Sequence, residues 1–225
     1  MRLPRCARCP LPRDERACEV PEGKGPVFCP TLAFQELREE VLEEYHRPEL
    51  HQVALMASLQ EASCYEGRGS PDYVLRPAKT RVQEIAEFAS RIGARRLGIA
   101  FCVGLQREAS LLEEVFEAWG FEVASVCCKV GGIPKEEIGV GDEDKIRVGA
   151  YETMCNPLLQ AEVLNRSGTE LNVLLGLCVG HDALFLKKAK ALCTVLAAKD
   201  RVLGHNPLAA LYTLHSYYRK LKIGG

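Results

Sequence analysis

Four cysteines stand within the first 29 residues, Cys6, Cys9, Cys18 and Cys29: a CxxC pair, then single cysteines after eight and ten intervening residues. Four thiolates saturate a tetrahedral metal ion or the four corners of a [4Fe-4S] cluster, and a CxxC pair lets two sulfurs reach one centre without strain. Zinc sites often use two such pairs, and here there is one. Pro10 and Pro30 directly follow Cys9 and Cys29, as proline often follows a cluster cysteine, so the pattern favours [4Fe-4S] over Zn2+. The plainer alternative is a set of unpaired thiols in a disordered tail. A segment with no core of its own, however, needs a metal staple to be ordered.

A second set depends on the fold. Cys128, Cys155 and Cys178 each open a turn containing Gly, Asn or His instead of a further apolar residue, with Cys127 as a neighbour. Three thiolates and an open fourth position suit a substrate-binding [4Fe-4S] cluster or a catalytic zinc. Glycine-rich turns accompany them, with Lys129 and Gly131 after Cys128 and with Gly180 after Cys178. Such turns expose backbone N–H groups to an anion or a cluster sulfide. His181 and His205 are the candidate proton donors or nitrogen ligands. His181 and Asp182 otherwise read as the start of a helix, and Asn206 and Pro207 as an N-cap and first helical residue. Lys199 and Asn206 join the candidate binding residues, and Lys199, Asp200 and Arg201 mark either an anionic substrate or simple exposure. Free cysteine is among the most buried residue types, and Cys64, Cys102 and Cys193 read as core packing. His46, His51 and His215 lie in helical stretches and read as structural.

These residues need a frame. Residues 1–30 hold six of the 12 prolines and no periodic apolar pattern, which marks an irregular cysteine-rich metal-binding module. Residues 31–225 read as an α/β domain, helical over 31–93 and built of βα repeats over 96–225. Helices are predicted from Thr31, over Pro48–Ala62 and near Ala78–Ile92. Short apolar runs at Arg96–Cys102, Phe121–Cys127, Glu170–Cys178 and Cys193–Ala198 read as buried strands. Helical stretches follow at Gln106–Trp119, Pro157–Asn165, Asp182–Ala191 and Pro207–Leu221. A roughly four-stranded parallel sheet with helices on both faces is the expected architecture. Cys102, Cys127, Cys128 and Cys178 then fall at carboxyl ends of strands, the edge where open α/β sheets bind ligands.

Composition excludes several functions. Lysine plus arginine total 29 against 30 for aspartate plus glutamate, in 225 residues, so no global basic field draws nucleic acid or an anionic membrane. Residues 1–30 offer one aromatic side chain for stacking, Phe28, which argues against a zinc-finger nucleic-acid binder. The first residues lack a secretory apolar stretch, and no run reaches the ~18 apolar residues of a transmembrane helix. A cytoplasmic protein is expected, where clustered thiols stay reduced and more often bind metal than form bridges.

Long stretches of the chain resemble an uncharacterised prokaryotic family of cysteine-rich proteins described as metal-binding, a domain of unknown function. The matching segments are CARCPLPRDERAC from Cys6, CCKVGGIPKEEIG from Cys127, MCNPLLQAEVLN from Met154, NVLLGLCVGHDALFLKK from Asn172 and KDRVLGHNPLAALY from Lys199. The resemblance implies metal binding and carries no assigned reaction; its loosest stretch is Cys18 to Cys29. The expectation is thus an iron–sulfur metalloprotein with redox or desulfurising chemistry on a small molecule, supplied by an electron donor. The alternative is a non-catalytic binding or regulatory protein with one structural Zn at the amino-terminal site.

Overall fold

The computed structural model describes residues 3–70 and 74–223, and the chain divides into two units, Met1–Leu59 and Gln60–Gly225. In the first unit, 3-10 turns at Cys6–Arg8 and Arg13–Glu15 precede an isolated bridge between Arg16 and Lys24. Gly23 permits that bridge. A Cβ there would stand 2.3 Å from the Arg16 carbonyl, so only a residue without one allows the approach. Pro30 sits at the first position of helix α1 (Pro30–Ala33), and the helix expected from Thr31 breaks at Phe34 before resuming as α2 (Gln35–Tyr45). Phe34 has φ −125° and ψ 41°, outside the helical region. Helix α3 spans Pro48–Ser63.

The second unit starts with a two-residue ribbon, β1 (Tyr65–Glu66) paired antiparallel with β2 (Arg76–Pro77). Helix α4 (Arg81–Arg91) follows, with Thr80 as N-cap accepting from the Gln83 N–H. The repeats come next: β3 (Arg96–Phe101), α5 (Gln106–Ala118), β4 (Glu122–Cys127), α6 (Pro157–Arg166), β5 (Leu171–Leu175), α7 (His181–Lys188), β6 (Leu192–Ala197) and α8 (Leu208–Tyr212). The four long strands form one parallel sheet in the order β4-β3-β5-β6. The α/β reading and all four strand positions hold.

Period-2 alternation sends each strand's side chains to two faces. Leu97, Ile99 and Val173 pack with Ile85 and Ala89 of α4 and Leu112 and Phe116 of α5. Ala100, Val126 and Leu174 pack with Ala161 and Leu164 of α6 and Phe185 of α7. Helices therefore cover both faces. One polar residue is buried within these four strands: Asn172 is fully buried, and its Oδ1 accepts from the Thr169 hydroxyl at 2.8 Å. Its register partner is Gly98, where a Cβ would lie 2.1 Å from that oxygen, so the asparagine requires the glycine.

The chain goes from β3 to β4 on one side and then returns past β3 to β5 on the other. The direction reverses between β3 and β5, and the crevice beyond their carboxyl ends is where such sheets bind ligands. The expected Pro207–Leu221 helix shortens to the five residues of α8, followed by turns and a 3-10 segment at Arg219–Lys222. No residue of α8 is buried and no side chain caps it. The Thr213 hydroxyl bonds back to the Ala209 carbonyl at 2.8 Å, and a helix without packing or caps is marginal. Among the described residues no helix is long and apolar enough to cross a membrane.

Candidate metal centre and sheet-edge thiol site

Local geometry brings the four amino-terminal cysteines around one space. The Cys9 N–H donates to the Cys6 carbonyl at 3.0 Å, closing a single turn over the CxxC pair. The Arg16–Lys24 bridge, with Ala17 N–H on the Lys24 carbonyl at 2.9 Å, turns the chain back after Cys18. Cys29 packs on the Gly25 backbone, where a Cβ would meet its sulfur at 2.7 Å. Cys6, Cys9, Cys18 and Cys29 all line one cavity of about 100 Å³. Among the described residues, no three Cys, His, Asp or Glu side chains converge closely enough to hold a single ion.

At the sheet edge, register does the positioning. Phe101 of β3 pairs with Cys127 of β4, so Cys102 and Cys128 leave the sheet side by side. The Cys128 N–H donates to the Phe101 carbonyl at 2.8 Å, and the Cys102 N–H to the Leu175 carbonyl at 3.1 Å. The long β4–α6 connection then returns, its Asn156 N–H on the Cys128 carbonyl at 2.8 Å. That contact sets the Cys155 sulfur 3.8 Å from the Cys128 sulfur. Behind them the fully buried Gln160 amide donates to the Phe101 and Val126 carbonyls at 3.2 and 2.7 Å, holding the ends of β3 and β4; its Oε1 has no partner. Cys178 follows β5 at the crevice. Its carbonyl accepts from His181 and Asp182, and its sulfur accepts from Arg201 Nη2 at 3.1 Å.

The thiols polarise one another. Hydrogen bonding to Cys102 and Cys155, together with burial, pushes the Cys128 thiol up. The Cys102 thiol falls to about 4, chiefly through its hydrogen bond with Cys128, with the Gly104 N–H and Lys199 adding to that against burial. The Cys155 thiol falls to about 6 through Cys128, with Lys129 and His181 contributing against burial. Val103 N–H also donates to the Cys128 sulfur at 3.3 Å.

The remaining candidates divide. His181 is close enough to Cys155 for its charge to act on that thiol. Lys199 reaches Cys102, and Lys129 donates to the Thr153 carbonyl beside Cys155. Gly131 (φ 92°) approaches α6, where a Cβ would meet Leu159 at 2.8 Å; Gly180 (φ 85°) makes the turn into α7. Asp182 accepts from the Gly180 and Ala183 N–H groups at 3.0 and 2.8 Å, fastening that turn. His205 adopts a left-handed φ of 64°, and its Nδ1 accepts from the Asp200 N–H at 3.1 Å. Asn206 is exposed and does not cap α8. Cys127 is half-buried against both core clusters, whereas Cys64 and Cys193 have thiols raised by burial. Two contacts were not anticipated from residue types: Cys102 on Cys128, and Arg201 on Cys178. Their signal was position, since both residues end core strands at the edge that binds ligands.

A family model described as "Protein of unknown function (DUF1847)" matches residues 29–196. That span includes Cys29 and every sheet-edge cysteine, and begins after Cys6, Cys9 and Cys18. An "Uncharacterized protein" of Methanocaldococcus jannaschii is 42% identical over 191 residues, covering 85% of this chain and 90% of its own length. With the match running across the whole parallel sheet and the thiols at its edge, the chain belongs to the DUF1847 family of proteins of unknown function.

Proposed function

We propose that the protein is an iron–sulfur metalloprotein that handles a small molecule at its sheet edge. Cys6, Cys9, Cys18 and Cys29 would hold one [4Fe-4S] cluster; Cys128, Cys155 and Cys178 would hold a second with one position left for substrate. The observation that carries this reading is that all four amino-terminal cysteines line one shared cavity. The donor chemistry at the sheet edge supports it: Cys128, together with Lys129 and His181, favours the ionised form of Cys155, and the Cys178 sulfur accepts from Arg201. When bound, such a group supplies one-electron transfer and a soft Lewis-acid site for a sulfur-bearing or reducible substrate.

The chain's own residues supply the rest. Gln160 fixes the strand ends that present Cys102 and Cys128. His181 beside Cys155 delivers a proton to the developing product. His205 is the second donor: its Nδ1 accepts from the Asp200 N–H, which leaves Nε2 as the nitrogen able to donate. Anaerobic purification followed by metal and acid-labile sulfide analysis tests the reading. Brown protein with iron and sulfide is expected; colourless protein with one zinc and no sulfide would replace it with a structural zinc module.

A further inference from the structure

We propose that Lys199, Arg201 and Lys129 form an anion-binding site over the sheet-edge thiols, and that the molecule handled there carries a carboxylate or phosphate group. The inference rests on the sheet edge being the substrate site and names the chemistry of what enters it. Lys199 spans the crevice between β3 and β5. Its Nζ lies 3.7 Å from where a Cβ on Gly104 would stand, and its Cδ lies 3.8 Å from the same point on Gly176. Glycine at 104 leaves room beside the ammonium, where no other side chain comes within 4 Å of the Cβ position. Arg201 reaches the same crevice from the end of β6 and touches Cys178 at 3.1 Å. Lys129 enters from the end of β4, donating to the Thr153 carbonyl.

These cations stand at the ligand edge of the sheet without carboxylate partners. Among the described residues none of the three forms a salt bridge, whereas two other lysines of the β4–α6 connection are paired. Lys135 meets Glu152 at 2.7 Å, and Lys145 meets Glu136 and Asp142 at 2.5 and 2.9 Å. The acidic side chains nearest in sequence are turned to the backbone. Asp200 accepts from the Val202 and Leu203 N–H groups, and Asp182 from those of Gly180 and Ala183. Three cations therefore border one crevice with no carboxylate paired to them among the described residues, their charge shared only with the sheet-edge sulfurs. An arginine fork beside a lysine point charge matches the oxygens of a carboxylate or phosphate. Val103, Val179 and Val202 are exposed at the same edge and give the ligand's carbon frame an apolar rim.

Calorimetric titration of the anaerobically purified protein with inorganic phosphate and, separately, with acetate tests the site and distinguishes the two sources. Saturable one-to-one binding of at least one probe is expected at low ionic strength. Lys199→Gln and Arg201→Gln should each weaken it at least tenfold, Lys199→Arg should retain it, and Lys187→Gln on α7 should leave it unchanged. No saturable binding by the wild type, or equal affinity in the glutamine variants, would overturn the anion site. Iron and sulfide measured on the same samples keep the two claims apart. Anion binding by a protein without iron refutes the cluster and leaves the anion site standing, whereas iron with unchanged affinity in the variants does the reverse.

Discussion

At the scale of single residues, the sheet-edge thiols share protons unequally. Cys155 is held near 6 by Cys128, Lys129 and His181, so in metal-free, reduced protein it is a thiolate from mildly acidic pH upward. An ordinary thiol ionises only near ~8.5. Its alkylation by iodoacetamide, read peptide by peptide, should therefore rise through about pH 6, and Lys129→Gln should move that rise upward toward the ordinary value. A midpoint near that of a free thiol in the unmutated protein would show that the cations do not act on it. Cys128 and Cys155 were legible because each opens a polar turn. Cys102 was not: Phe101 and Val103 on either side make it read as packing, and only the pairing of β3 with β4 sets it beside Cys128.

At the scale of elements, the site depends on how α6 closes over the ends of β3 and β4. Asn156 caps α6 by accepting from the Leu159 N–H at 3.0 Å, and one turn later Gln160 bridges two strand-end carbonyls. Leucine at 160 would remove the side-chain donor from both carbonyls, leaving that of Phe101 with the Cys128 N–H alone. Gln160→Leu should therefore lower unfolding stability by roughly 1–3 kcal/mol in denaturant titration and disturb the alkylation pattern of Cys102 and Cys155; an unchanged midpoint would remove Gln160 from the scaffold. The strands and the helices between them were legible because apolar runs alternate cleanly with helical stretches from Arg96 onward. The role of Gln160 was not, since a glutamine inside an amphipathic helix looks like its polar face. The last helix was over-read, because α8 buries no residue and its periodic leucines meet solvent.

At the scale of the whole molecule, each unit contains its own thiol site. The first gathers four cysteines around a cavity without building a large core, and the second gathers its thiols at the ligand edge of a parallel sheet. Formal net charge is −1, so attraction of an anion has to be local to the edge. That Cys6, Cys9, Cys18 and Cys29 line one cavity was legible from their clustering at one end. The crevice was not, because strand order, which decides where the chain reverses, leaves no mark in residue types. The central claim is that both sites bind iron, and metal and sulfide content per chain of Cys9→Ser and Cys178→Ser, each beside the wild type and purified without oxygen, tests it most directly. Each substitution is expected to remove part of the iron and sulfide and leave the rest. Loss in Cys9→Ser alone would reduce the sheet-edge cysteines to packing, and zinc without sulfide in all three proteins would contradict the iron–sulfur assignment altogether.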